Sequence, residues 1–185
     1  NDPKDREEAD QFIADRVVWH IARNEVLSQW VKDHDRDTKK LVAESGYSGQ
    51  KIVLMVGSLR PSKGAVDLID AFARLADAEQ RASPTRLIIA GYPSREFDSA
   101  ALVHRIQQFQ LADRVMLDFR YLEMGELGAL VARADVVVFP YRSATASGVL
   151  SLAQSLGSPA VATAVGGLAD AIEHGVTGWL VPPQD

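Results

Sequence analysis

Two short stretches of this chain carry residue types suited to holding an anion. The first, Gly57-Ser58-Leu59-Arg60-Pro61-Ser62-Lys63-Gly64, sets two cations three positions apart between glycines. The second, Tyr141-Arg142-Ser143-Ala144-Thr145-Ala146-Ser147-Gly148-Val149-Leu150, is a run of mostly small and hydroxyl side chains directly after the apolar Val138-Phe139-Pro140. A helix that opens in such a loop leaves its first N–H groups uncovered, and the positive end of its dipole faces whatever sits there. A phosphate is the natural guest. Arginine grips two phosphate oxygens at once and lysine adds a movable point charge, so Arg60 and Lys63, with the amides of Ser147, Gly148 and Val149, would suit a pyrophosphate. Each loop alone also has a plainer reading. Gly57 and Gly64 then serve as turn residues with Arg60 and Lys63 in solvent, and Ser143 or Thr145 serves as an ordinary N-cap.

The elements that must position these loops are legible as alternating patterns. Apolar runs at 52–56, 87–90, 115–117, 136–139, 160–163 and 178–181 read as six strands. Helical patterns fall between or after them at 64–77, 98–110, 123–133, 147–156 and 167–174. Strands that are continuously apolar, each followed by a helix, imply a parallel sheet covered on both faces: a doubly wound, Rossmann-like α/β domain. In the common strand order 3-2-1-4-5-6, the direction of winding reverses between the first and fourth strands, and ligands sit beyond the carboxyl ends there. Both anion-suited loops follow those two strands, which favours the binding reading over the two plainer ones. The first loop lacks the Gly-Lys-Ser/Thr ending of a P-loop, and no Gly-x-Gly-x-x-Gly follows the first strand, so ATP hydrolysis and NAD binding lose ground.

Composition bounds the rest. A chain of 185 residues, 46% apolar, can bury one full core with an appendage. The first 50 residues hold 11 acidic and 8 basic side chains, and the charge density then halves. Residues 1–49 read as a charged helical extension or linker, with Asp2 and Pro3 opening it and Phe12, Ile13, Val17, Ile21, Leu27, Trp30 and Val31 at mostly helical spacing. Residues 50–185 form the domain. The net charge of −5 and the lack of a basic stripe argue against nucleic acid as a partner. There is no cysteine, which excludes disulfides and thiolate chemistry. No apolar run reaches spanning length and no signal peptide is visible at the start, so a cytoplasmic location is expected. None of His20, His34, His104 and His174 pairs by spacing with an acid, and each reads as a surface or packing residue.

Residues 51–185 resemble the C-terminal, donor-binding half of GT-B fold retaining glycosyltransferases of family 4, or group 1. The resemblance rests on Val56-Gly57-Ser58-Leu59-Arg60-Pro61-Ser62-Lys63-Gly64 with Leu68-Ile69-Asp70-Ala71-Phe72, on Leu87-Ile88-Ile89-Ala90-Gly91, and on Arg133-Ala134-Asp135-Val136-Val137-Val138-Phe139-Pro140. It continues through Gly157-Ser158-Pro159-Ala160-Val161-Ala162-Thr163, Gly166-Gly167-Leu168 and Gly175-Val176-Thr177-Gly178-Trp179-Leu180-Val181-Pro182-Pro183.

The resemblance implies that a nucleotide-diphosphate sugar is the partner, that Arg60 and Lys63 stabilise its departing diphosphate, and that an acceptor comes from an N-terminal half absent here. It implies donor contacts at Gly57, Ser58, Ser143, Thr145, Ser147, Gly148 and Val149, and base contacts at Gly91-Tyr92-Pro93 and Phe119-Arg120-Tyr121, with Tyr121 stacking or merely packing. No cofactor and no metal are expected, and membrane contact would be peripheral, through the parent protein. The chain departs from the family pattern in three places. Ser58 stands at the usual arginine position, with Arg60 substituting. Ala144 and Leu152, eight positions apart, stand where relatives carry the glutamates that touch sugar and ribose. Asp170 lies one position beyond the family's usual glutamate. The expected function is donor binding for sugar transfer. The alternatives are a non-catalytic or degenerate nucleotide-sugar module and half of a nucleotide-sugar epimerase.

Overall fold

The computed structural model describes residues 50–78 and 85–183; the extension expected at 1–49 lies outside the described residues. Six strands, β1 (Ile52–Val56), β2 (Arg86–Ala90), β3 (Val115–Asp118), β4 (Val136–Phe139), β5 (Ala160–Thr163) and β6 (Trp179–Val181), form one sheet in the order β3-β2-β1-β4-β5-β6. All five pairings are parallel. The connecting helices are α1 (Ala65–Ala78), α2 (Ser99–Gln108), α3 (Met124–Arg133), α4 (Gly148–Ser155) and α5 (Gly167–Ala171).

The strands are short and apolar because both faces are covered. On one face Val53, Met55, Leu87 and Ile89 pack with Leu68, Ile69 and Phe72 of α1 and Leu102 and Ile106 of α2. On the other, Leu54, Val56, Val137, Phe139 and Ala162 pack with Val131 of α3, Leu150 and Ala153 of α4 and Leu168 of α5. The alternation of faces along β1 divides the core into two layers. Burying each Leu or Ile in them contributes roughly 1.5–3 kcal/mol.

The winding reverses between β1 and β4, as the sequence suggests. Their pairing is also brief: Val53 faces Val136 and Leu54 faces Val137, whereas β1 stays paired with β2 as far as Val56 and Ala90. Beyond Leu54 the two central strands separate at their carboxyl ends. The reversal of winding at this point is where doubly wound sheets take ligands, beyond the carboxyl ends of the two strands.

The structure adds one local turn and corrects two local expectations. Residues 61–63 form a 3-10 turn, which Pro61 favours by fixing φ at its first position. The N-cap of α4 is Ser147, whose Oγ accepts from Leu150 N at 3.3 Å, so neither Ser143 nor Thr145 caps it. The last helix stops at Ala171 rather than at residue 174. Ile172 is extended, and Glu173 N donates to Thr177 Oγ1 at 2.9 Å while Leu180 N donates to His174 Nδ1 at 3.1 Å. These bonds divert the backbone into a turn ahead of β6.

Candidate functional site

The loop after β1 is held from two sides. Gly57 N donates to Ala90 O at 3.1 Å and Leu59 N to Tyr92 O at 2.9 Å, while Ser94 N returns a bond to Leu59 O at 2.8 Å. Leu59 is thereby buried under the β2 loop. Gly91 sits at φ 138°, and a Cβ there would overlap the carbonyl oxygen of Gly57, so only glycine lets the β1 and β2 loops touch. On the other side Gly64, at φ 67°, presses against the Pro140 carbonyl at the end of β4. Arg142 N donates to Ser62 O at 2.8 Å across the same seam. The two loops singled out above are therefore in contact at the switch point.

Lys63 projects into that seam. Its ammonium lies 3.5 Å from the centre of the Tyr141 ring, and among the described residues it has no carboxylate within ion-pair distance. Tyr141 is only 3% exposed. Its hydroxyl lies 3.4 Å from Ser147 Oγ, the cap of α4, and its ring meets Phe139 edge to face at 5.7 Å. The Tyr141 carbonyl accepts a short hydrogen bond from Thr163 Oγ1 of β5. Burial lowers the Lys63 pKa below its ordinary value, and the nearby Arg60 charge lowers it further. Burial likewise pushes the Tyr141 phenol up, partly offset by Ser147, so the ring stays neutral.

The nearest acid is committed elsewhere. Asp67, in the first turn of α1, is held by Arg142 through two bonds of 2.8 Å each, Nε to Oδ2 and Nη2 to Oδ1. That bidentate pair raises the Arg142 pKa and keeps the carboxylate off Lys63. Arg60 is exposed, and no ion pair engages it among the described residues. One cation is thus half-buried on an aromatic face and another, on the same loop, exposed to solvent. The first N–H groups of that helix, at Gly148 and Val149, have no intrahelical acceptor by position. Val149 reaches back to the first loop: a Cβ built on Gly57 would lie 3.1 Å from Val149 Cγ2.

The remaining expected residues divide. Ser58, Ser143, Thr145 and Gly148 are exposed around the crevice. Tyr92 and Tyr121 are 64% and 68% exposed at the ends of β2 and β3, and they make no ring contact with each other. Arg120, between them in the β3 loop, is taken up by Asp118 Oδ2 at 3.0 Å and Glu126 Oε1 at 2.9 Å. Leu152, at the position of one family glutamate, packs half-buried against the core, and the Ala144 carbonyl accepts from Gly167 N at 3.3 Å. Asp170 is exposed on α5. Sequence reasoning passed over Tyr141 as a functional residue and missed the Asp67–Arg142 pair. An aromatic directly after the strand-ending Pro140 was the available signal, and only the β1–β4 adjacency gives it meaning.

A cavity of about 540 Å³ lies beside the seam, between Asp67, Leu68 and Ala71 of α1, Val138, Val161 and Val181 of the sheet, and Tyr141 and Arg142. Its walls are mostly apolar but include Asp67, Tyr141, Arg142 and Thr163 of the seam, whereas neither Lys63 nor Ser147 lines it. The cavity thus borders the seam on the side of the Asp67–Arg142 pair and Tyr141, while Lys63 and Ser147 lie outside its lining. Among the described residues no helix is long and apolar enough to cross a membrane.

A six-stranded parallel sheet with its crevice at the β1/β4 reversal places the molecule among the doubly wound domains that take ligands beyond their strand ends. The comparison with known families narrows this. The chain belongs to the glycosyl transferases of group 1, whose family model matches residues 37–185. It is 31% identical over 156 residues to a D-inositol 3-phosphate glycosyltransferase of Jonesia denitrificans, covering 82% of this chain and 36% of that protein. It is 27% identical over 151 residues to an N-acetyl-alpha-D-glucosaminyl L-malate synthase of Bacillus anthracis, covering 81% and 37%. Among solved structures, Anabaena HepE in complex with UDP and glucose is similar with a TM-score of 0.65 and 28% identity, over 80% of this chain and 39% of that one. The C-terminal domain of a group 1 glycosyl transferase from Francisella tularensis shares the fold, with a TM-score of 0.68, at 17% identity over 82% and 77%. The chain thus has the Rossmann-like half of a GT-B glycosyltransferase, and it spans little more than a third of the length of the curated relatives named above.

Proposed function

We propose that this chain binds the nucleotide-diphosphate sugar of a retaining glycosyltransferase, with its diphosphate in the crevice between the β1 and β4 loops. The observation that carries the reading is Lys63: a half-buried ammonium with no carboxylate partner among the described residues, seated on the Tyr141 ring whose hydroxyl meets the Ser147 cap of α4. Desolvating a cation without a counter-ion costs free energy, and an arriving diphosphate returns it. Arg60, exposed on the same loop, would close over the ligand bidentately. Donors pre-aimed at the leaving group act where charge develops in the transition state, and each is typically worth about 3 kcal/mol there. The diphosphate itself would take the acceptor proton, so this half needs no general base. The acceptor would be held by an N-terminal half of a whole enzyme. HepE, whose structures hold UDP and UDP-glucose, supports a uridine donor as the first to try.

A non-catalytic binding module is the second reading, and Leu152 favours it. A leucine turned against the core offers the ribose no hydrogen-bond acceptor, and Ala144 offers the sugar no carboxylate. Calorimetric titration of the 185-residue chain with UDP-, GDP- and ADP-sugars decides the first question: binding of one of them supports the donor site, and no heat with an unchanged melting temperature overturns it. Hydrolysis or transfer of the bound sugar then separates enzyme from module.

A further inference from the structure

We propose that Tyr141 is a positioning residue of this anion site, carrying the Lys63 ammonium on its ring and coupling that cation to the N-terminus of α4. The inference rests on the diphosphate reading above and adds the group that makes the site rigid.

Tyr141 is the meeting point of four elements. Its ring face takes the Lys63 ammonium of the β1 loop at 3.5 Å, and its hydroxyl lies 3.4 Å from the Ser147 Oγ that caps α4. Its ring edge packs on Phe139 of β4, and its carbonyl is bonded by Thr163 of β5. A ring fixed on so many sides can hold a flexible four-carbon side chain in one place. The lysine side chain would otherwise lose substantial rotamer freedom when it engages a ligand.

The choice of an aromatic ring over a carboxylate matters to the chemistry. A carboxylate beside Lys63 would pair with it tightly and compete with the incoming diphosphate. A ring attracts the cation through its quadrupole and gives it up at modest cost. Asp67, four positions on from Lys63, is engaged bidentately by Arg142, two residues past Pro140. Tyr141 and Ser147 also link the cation to the helix end. The same Ser147 Oγ that meets the phenol caps Leu150 N, while the earlier amides of α4, at Gly148 and Val149, have no intrahelical acceptor by position. Lysine and helix terminus are then presented as one unit.

The test is a double-mutant cycle read by binding of UDP and of inorganic pyrophosphate to the 185-residue chain. Tyr141→Leu removes the ring and should weaken both probes roughly tenfold, whereas Tyr141→Phe keeps the ring and should recover most of that loss. In a Lys63→Met background, Tyr141→Leu should have no further effect, because the lysine through which it acts is gone. A Tyr141→Leu effect that persists undiminished in that background, or unchanged affinity in Tyr141→Leu itself, overturns the proposal. Equal losses in the Phe and Leu variants overturn it as well. Wild-type protein that binds neither probe overturns the diphosphate reading instead, so the two failures are distinct. Far-ultraviolet dichroism of each variant checks folding. If Tyr141→Leu does not fold, Tyr141→Met, which also removes the ring but fills more of its space, takes its place in the same cycle with the same outcomes.

Discussion

Two corners of one sheet edge treat their cations in opposite ways. Above β3, the Arg120 guanidinium is shared between Asp118 and Glu126, and Glu126 also accepts from the Glu123 amide in a capping box that starts α3. Above β1 and β4, the Lys63 ammonium has an aromatic ring and no acid, although Asp67 is close by in sequence and bound to Arg142 instead. The first arrangement is complete without a ligand and orders a loop and a helix start. The second is incomplete, since a half-buried charge has been taken from water and given only a weak partner. That difference separates a cation that serves the fold from one poised for an anion.

The largest expected effect falls on the backbone that makes the incomplete corner possible. Gly64→Ala forces a Cβ into the Pro140 carbonyl at a left-handed φ of 67°, and should cost about 3 kcal/mol or more of unfolding free energy in a urea titration. Alanine at Gly125, whose built Cβ meets nothing within 4 Å, should be neutral or mildly stabilising by the same measurement. A mild Gly64→Ala would mean that the seam between the β1 and β4 loops is slack.

Next come the cations themselves. Lys63→Met and Arg60→Ala should each weaken nucleoside-diphosphate binding at least tenfold, about 1.4 kcal/mol, by calorimetry. Lys63→Met should do so without lowering the melting temperature, because it removes a charge that burial disfavours. The pH dependence sharpens this. Since the folded-state Lys63 pKa lies below its ordinary value, the unfolded chain binds more protons in the interval between the two, and ligand-free stability rises with pH there. Diphosphate affinity falls over the same interval as the ammonium is lost. Wild type minus Lys63→Met should show both trends with opposite signs, and trends of the same sign would break the contrast with Arg120.

The sheet was readable because doubly wound strands are continuous apolar runs, so that 136–139 and 160–163 match β4 and β5 residue for residue. The order of strands and the crevice followed from a general rule of winding. What spacing could not supply was partnership among side chains distant in sequence. Asp67 and Arg142 are 75 positions apart and meet only because β1 and β4 are neighbours. The capping residue of α4 is missed for a related reason: Ser143, Thr145 and Ser147 all have suitable hydroxyls, and the choice depends on distant contacts, the Gly167 N bond to the Ala144 carbonyl and the Tyr141 hydroxyl against Ser147 Oγ. Tyr92 and Tyr121 enter only through the family resemblance, and their rings lie exposed, without contact between them.

The smallest effect is expected at the completed corner, and it tests whether that corner is as self-contained as its geometry suggests. Glu126 has its carboxyl held below its ordinary value of 4.5, chiefly by the Glu123 amide and then by Arg120. A carboxylate depressed in this way adds stability that is fully present above the unfolded value and is lost as pH falls through the folded one. The Arg120 side chain is 42% exposed, so solvent screening leaves the pair with about 0.5 kcal/mol. Melting curves between pH 6 and 3 should therefore show Glu126→Gln and wild type differing slightly at the upper end and converging toward the lower. Added salt should narrow the gap. UDP affinity should be the same in both proteins at neutral pH if Arg120 belongs to the fold alone. A Glu126→Gln variant that binds UDP several-fold more tightly would instead mean that the two carboxylates restrain Arg120 from the ligand, and that the β3 corner serves the site as well.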